Sequence, residues 1–280
     1  GGRPGRGYAG FAAGALLYFV LTFLYYSRYE RPALWPVMAA LAVLPALVRP
    51  KPFISAGTLR RALAATVAVA ILGVGANLVG KREATSTAGP APAELKIFNY
   101  NIHEIFNVWS VPDPEAVARA IEASGADLVG LQEVGRGWNV NGGPELVAWL
   151  RWRLPQYRLI YAPMLGDMVG QVILSRYPVR ETGYIWYPKR KSRLHYGLMW
   201  ATISTTAGDL LFVNTHFSPY PGFEEDRLAQ AEDLLAFWKR RSRTVIVGDF
   251  NAGPEERAIQ RLLAETLVDV SARHGLGTAF

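Results

Sequence analysis

Thr244-Val-Ile-Val-Gly-Asp-Phe-Asn251 is the stretch whose reading decides the fold. Val245, Ile246 and Val247 form a short, apolar, β-branched run of the kind that fills a buried strand, and Gly248 marks where it stops. Asp249 and Asn251 follow two residues apart, so their side chains can point the same way at the strand's carboxyl end. A carboxylate and a carboxamide at a strand mouth suit water, phosphate or a small hard cation. The same residues, running on to Pro254, also suit an Asx-turn and a helix cap, so this stretch alone leaves both readings open.

Outward from this strand, the pattern is an alternation of strands and helices. Upstream, Glu224–Arg241 is an amphipathic helix, and Leu210–Thr215, Leu198–Ser204, Val169–Ser175 and Arg158–Ala162 read as strands. Pro144–Leu154 reads as a helix, and Leu128–Gln132 as a strand that ends on Glu133. Before it, Asp113-Pro114 supplies an N-cap followed by proline at the first helical position, and Gly125 closes that helix behind Ser124. Leu95–Ile102 opens the domain as a strand, with Asn99 and Asn101 on one face by the two-residue period. Downstream, Pro254 starts another helix. Helices set between runs of strands predict an α/β domain of two packed mixed sheets covered by helices, a four-layer α/β/β/α sandwich over 95–280.

The first third of the chain is different. Tyr8–Tyr26, Ala33–Val48 and Ala62–Gly80 carry no charged residue over 19, 16 and 19 positions. At about 1.5 Å per residue the longer two cover most of a ~30 Å hydrocarbon core, and none has an amphipathic stripe. The expectation is three transmembrane helices within 1–80, at about 8–26, 33–48 and 62–80, the second kinked by Pro36 and Pro45. Residues 81–94, rich in Ser, Thr, Gly, Pro and Ala, read as a linker.

Charge follows the same division. Of the net +7, residues 1–94 hold ten Lys/Arg against three Asp/Glu, whereas residues 95–280 hold twenty against twenty. The basic excess therefore flanks apolar segments and does not make a nucleic-acid track. Arg3, Arg6, Arg49, Lys51, Arg60 and Arg61 would share one side of a bilayer, and Arg28, Arg31, Lys81 and Arg82 the other, which puts the domain after residue 81 on the extracytoplasmic side of an integral membrane protein. The chain has no cysteine, which excludes a disulfide framework and a thiolate metal site.

Candidate chemistry collects at strand ends. Asn101, Glu133, Thr215-His216, and Asp249 with Asn251 each follow an apolar run, and the carboxyl ends of strands are where α/β sites form. Each alone has a plainer explanation: a cap for Asn101, a partner such as Arg136 for Glu133, a core hydrogen bond for His216. Four on separate strands argue for a shared site.

FNYNIH, GLQEV, GQVILSRYPV, VNTHFS and VGDFNAGP, in this order and spacing, resemble the endonuclease/exonuclease/phosphatase superfamily of metal-dependent phosphoesterases across nearly all of 95–280. QEVGRGWNVNGG behind several apolar spans is most similar to the hydrolase-like domain of the calcofluor-white-hypersensitive proteins, which are linked to remodelling of GPI-anchor lipids. The resemblance implies Mg²⁺, or Mn²⁺ in its place, held by Glu133 with Asn101 beside it. It further implies that Asp249 orients or deprotonates the attacking water, that Asn251 holds a phosphate oxygen or that water, and that His216 donates to the phosphoryl group. Arg136 and Gln171 would contact substrate. Gln171 stands where relatives usually carry Asn, and a closing Ser-Asp-His strand is not found before Phe280, so the domain is expected to be C-terminally incomplete. His274 does not match that motif. The implied partners are a lipid bilayer and a phosphoester, lipid-linked in preference to nucleic acid; a membrane-anchored nuclease and a non-catalytic headgroup-binding domain are the alternatives.

Overall fold

A computed structural model describes residues 89–137, 145–166, 168–188, 190–191 and 195–270, and isolated positions 16, 19, 20, 57, 61, 64 and 68. The chain divides into two compact units, Gly1–Lys81 and Arg82–Phe280. The three expected spans lie almost wholly outside the described residues, and among the described residues no helix is long and apolar enough to cross a membrane. His274 also lies outside them.

The second unit is an α/β sandwich of two mixed four-stranded sheets. The first contains β1 (Ile97–Asn101), β2 (Leu128–Gly135), β3 (Arg158–Leu165) and β4 (Val169–Ser175), in the order β1-β2-β4-β3. The second contains β5 (Val179–Trp186), β6 (Gly197–Ile203), β7 (Leu210–His216) and β8 (Thr244–Asp249), in that order. Each sheet has one parallel pair at an edge, β1 with β2 and β7 with β8, and antiparallel pairs elsewhere. Parallel pairing brings both carboxyl ends of a pair to the same end of the sheet.

Three apolar clusters account for the layering. Val117 and Ile121 of α1 (Pro114–Ser124) and Leu146, Val147 and Leu150 of α2 (Leu146–Arg153) pack on Val129, Leu131, Val172 and Leu174 of the first sheet. Leu128, Ile173, Met199, Ala201 and Phe212 fill the space between the sheets. Ala231 and Leu234 of α3 (Glu224–Trp238) and Ala258 and Leu262 of α4 (Arg257–Leu263) cover Leu198, Leu211 and Val213 of the second. β4 and β7 are buried at every position and are apolar over Val172–Leu174 and Leu210–Val213, with buried polar residues such as Gln171 and Asn214 held by hydrogen bonds.

Local chemistry sets the helix ends. The Asp113 carboxylate accepts from the Ala116 N–H at 2.9 Å, Pro114 starts α1, and Gly125 ends it at φ 60, a left-handed conformation that glycine adopts without strain. The sequence does not announce β5. It lies at a sheet edge with six of its eight residues exposed, and its Val-Arg-Glu-Thr-Gly opening lacks the apolar run that marks the other strands.

Candidate active site

The two parallel pairs face each other across the sandwich, and the site residues stand at their common carboxyl end. In the second sheet the register delivers them directly: His216 pairs with Asp249, one step beyond Thr215 and Gly248. Gly248 is required by this close approach, because a Cβ there would lie 2.2 Å from the Thr215 carbonyl oxygen. In the first sheet delivery needs a bulge. Leu131 pairs with Val172 and Val134 with Gly170, so Gln132 and Glu133 together oppose Gln171 alone, and Glu133 takes φ 56. A non-glycine residue held at positive φ is costly, and such strain gathers at functional sites.

Asn101 ties the sheets together. Its Nδ2 donates to Glu133 Oε1 at 3.0 Å and to Asp249 Oδ2 at 2.7 Å, while its Oδ1 accepts from the His103 N–H at 2.9 Å. That backbone donor exists because His103, Glu104 and Ile105 all turn with positive φ directly after the strand. His216 Nε2 lies 3.9 Å from both Glu133 Oε1 and Asp249 Oδ2 and is buried without a hydrogen-bond partner in the structure. Burial pushes its imidazole below the ordinary histidine value, against the opposing pull of Asp249 and Glu133, and so favours the neutral ring. Asp249 Oδ1 accepts from the Asn251 N–H at 2.9 Å, and Asn251, at φ 48, donates Nδ2 to the Phe217 carbonyl at 3.0 Å.

The remaining expected residues stand differently. Gln171 is wholly buried and donates Nε2 to the Gly197 carbonyl at 2.8 Å; Gly197 pairs with His216, so Gln171 reaches the site through the sheet and not as an open substrate contact. Arg136 donates Nε to Glu145 at 3.2 Å and lies over the Tyr161 ring, 5.3 Å from its centroid. Lys191, from the basic cluster 189–193, donates Nζ to the Gly222 carbonyl, and Arg190 pairs with Asp233.

Sequence reasoning missed a layer of carboxamides behind the site. Gln132 Nε2 donates to Asn99 Oδ1 at 2.9 Å and to Asn214 Oδ1 at 2.6 Å. Asn214 Nδ2 donates to the Leu131 and Val172 carbonyls at 2.9 and 3.0 Å, and Asn99 Nδ2 to the Gly248 carbonyl at 2.9 Å. The signal was present: each carboxamide interrupts an apolar strand one or two residues before a site residue. Tyr196 was also missed. It is buried with its ring edge-on to His216, 5.3 Å between centroids, and burial holds its phenol well above the usual range.

A small hard divalent cation fits these residues. Two carboxylates converge on the neutral Asn101 amide nitrogen, which has one N–H for each but no charge to offset their repulsion; a cation would supply that charge, and Glu133 and Asp249 are the acidic groups that would hold or flank it, with Asn101 beside them. Among the described residues no group of three or more His, Asp or Glu stands in metal-binding geometry, so water and substrate would supply the remaining ligands. Bound there, such an ion polarises a phosphoryl oxygen and neutralises developing charge.

Fold and site together define a hydrolase of phosphoester bonds built on paired mixed sheets. Residues 105–280 match the Endonuclease/Exonuclease/phosphatase family, and the chain belongs to it. Its members hydrolyse phosphoesters, generally with a divalent metal. In fold the chain is similar to D. rerio TDP2 complexed with single strand DNA product, at 19% identity over 65% of this chain and 70% of that chain, TM-score 0.52. It is similar also to a family protein from Bacteroides thetaiotaomicron, at 16% identity over 60% and 67%, TM-score 0.49. The human Nocturnin catalytic domain with bound sulfate anion is similar at 20% identity, TM-score 0.45, over 55% of this chain and 61% of its own length. No curated protein matches the chain by sequence.

Proposed function

We propose that this chain is a membrane-tethered, Mg²⁺-dependent phosphoesterase that acts on a lipid-linked or other small phosphoester at the extracytoplasmic face of a bilayer. The observation that carries the chemistry is the Asn101 amide held between Glu133 and Asp249, with the unpartnered His216 Nε2 3.9 Å from each. In this reading Glu133 holds the metal beside Asn101. Asp249 orients or deprotonates water, Asn251 helps to fix that water or a phosphate oxygen, and neutral His216 donates to the phosphoryl oxygen as charge builds.

Charge and sequence support the substrate class. A nuclease gripping a duplex draws its non-specific affinity from several uncompensated Lys/Arg along the backbone path, and residues 95–280 balance twenty against twenty. The three charge-free runs before residue 81 and the short linker would confine the site to a surface where headgroups are locally concentrated. The similarity of QEVGRGWNVNGG to the calcofluor-white-hypersensitive proteins points to a glycosylphosphatidylinositol-type phosphoester. In the test, the purified chain receives plasmid DNA and inositol-phospholipid vesicles in parallel, with Mg²⁺. Release of phosphorylated headgroup or lipid product is the expected result; DNA nicking without release from vesicles would replace this reading with the nuclease.

A further inference from the structure

Residues 105–112, Ile-Phe-Asn-Val-Trp-Ser-Val-Pro, follow the site end of β1 without a single charge; Ile105 is buried in the core, and the apolar side chains at the tip are exposed. Val108 is 92% exposed, Trp109 81% and Val111 53%. This exposure belongs to an ordered loop. Asn107 Oδ1 accepts from the N–H groups of Trp109 and Val111 at 2.9 and 3.1 Å, and the Asn107 N–H donates to the Val111 carbonyl at 3.0 Å. The Ser110 N–H returns to the Asn107 carbonyl at 2.9 Å, and Phe106 bridges Pro112 below the tip. One asparagine thus fixes a four-residue turn whose outer side chains touch almost nothing.

We infer that this loop is an interfacial anchor, inserting Val108, Trp109 and Val111 into the headgroup–acyl boundary of a bilayer and so turning the site mouth toward it. The inference rests on the membrane setting proposed above and adds to it the surface that meets the lipid. Two arguments favour lipid over other occupants, and a third lowers the cost of insertion. A duplex or an acidic partner would be met by charge, and 105–112 has none. A protein partner would need a pit shaped to a nearly isolated point, whereas a fluid interface closes around any apolar projection, and tryptophan concentrates at that depth. A turn already held by hydrogen bonds loses little conformational entropy on insertion. Position agrees as well: Tyr184, Ile185 and Trp186, each more than 40% exposed, end β5 at the same end of the sheets, in register with Gly197 and His216.

The absence of cysteine makes the test direct. Val108→Cys gives the full chain one thiol, which can be labelled with an environment-sensitive fluorophore; Asp209→Cys, in the turn before β7 at the opposite end, is the control. On phosphatidylcholine and inositol-phospholipid vesicles, the label at 108 is expected to shift blue and to be quenched by lipids brominated near the top of the acyl chain, with the label at 209 unchanged. No quenching at 108 overturns the inference. A blue shift without lipid quenching also overturns it, because the tip is then covered by protein, either this chain's own apolar runs or a second copy. As a second readout, Trp109→Asp should lower hydrolysis of vesicle-borne phosphoester about tenfold while hydrolysis of a soluble diester stays within about twofold. Equal losses on both substrates would assign the tryptophan a structural role and overturn the anchor. Quenching at 108 with no lipid phosphoester hydrolysed would sink the proposed substrate and leave the anchor standing; hydrolysis without quenching would do the reverse.

Discussion

The two sheets carry the same pairing pattern and deliver their site residues by different means. In each, an edge pair is parallel and the other pairs are antiparallel, so β1-β2 in one corresponds to β8-β7 in the other. The second sheet presents His216 and Asp249 in plain register. The first presents Glu133 only because β2 takes in an extra residue and bends at φ 56. Regular delivery costs nothing beyond the strand, whereas the bulge stores strain that the surrounding bonds must hold. Glu133 is thus placed by its environment, and Asp249 chiefly by its own strand.

The largest effect should come from removing either carboxylate. Glu133→Gln and Asp249→Asn are each expected to lower kcat/KM on the order of a thousandfold, since each removes charge from the metal and water positions. The sheets should then differ in metal response. Raising Mg²⁺ should recover part of the Glu133→Gln activity and none of the Asp249→Asn activity, if Glu133 is the principal ligand and Asp249 the group acting on water. Steady-state kinetics across a metal titration checks this; identical metal dependence in both variants would merge the two roles.

The contrast also explains what could be read from the sequence. β4, β7 and β8 are built on the apolar runs Val172–Leu174, Leu210–Val213 and Val245–Val247, and Asp113-Pro114 with Gly125 is a complete helix frame, so these elements are legible nearly to the residue. β5 was not, because an edge strand need not be apolar. Glu133 was recognised as a site residue, yet nothing in GLQEV shows that the strand bulges there. The carboxamides Asn99, Gln132 and Asn214 show in the sequence only as interruptions of apolar runs: apart from the Gln132–Asn99 bond their partners lie on the opposite sheet, and pairing across a sandwich leaves no periodic trace. Gln171 was misjudged in the same way, its side chain being held within the sandwich by Gly197.

The outer helical layers offer a second break point. Arg227 of α3 is buried, donating to both Glu256 carboxylate oxygens at 2.7 and 3.0 Å and to the Ser218 and Tyr220 carbonyls, so it fastens the loops after β7 and β8. Arg153 of α2 makes a similar clasp on Glu115 and Glu122 of α1, but in contact with water. Arg227→Met should destabilise by about 3–5 kcal/mol, because it leaves Glu256 and two carbonyls without their partner. Arg153→Met should cost much less, since water replaces what is lost. Urea denaturation of the two variants measures the difference, and equal midpoints would show that burial does not separate these clasps.

Between the sheets, Asn214→Leu should cost about 2–3 kcal/mol, the penalty for leaving the Leu131 and Val172 carbonyls buried without donors. Because Gln132, within the bulge and next to Glu133, also loses an acceptor, kcat should fall more than KM rises. Asn214→Asp keeps an acceptor for Gln132 but turns a carboxyl oxygen toward the Leu131 and Val172 carbonyls, so it should cost at least as much stability as Asn214→Leu and yet recover part of kcat. A stability loss with unchanged kcat would mean that the bulge holds Glu133 without help from the network.

The smallest effect belongs at the far end of the sheets. Asp209 precedes β7 and meets Arg180 of β5 at 3.2 Å, with the two side chains 44% and 65% exposed. An ion pair so open to solvent is offset by side-chain entropy and screened by salt, so Asp209→Asn should change stability by about 0–0.5 kcal/mol. Arg180 also keeps its bond to the Ser204 hydroxyl at 3.0 Å, which limits any rearrangement. Turnover should match the parent chain, because β7 is paired with β6 along its whole length from this turn to His216, and with β8 from Leu211 onward. Thermal melts at low and high salt, together with kinetics on a soluble diester, check both statements. A loss of activity from this turn would mean that the two ends of the second sheet are coupled, and that His216 and Asp249 depend on more than their own strands.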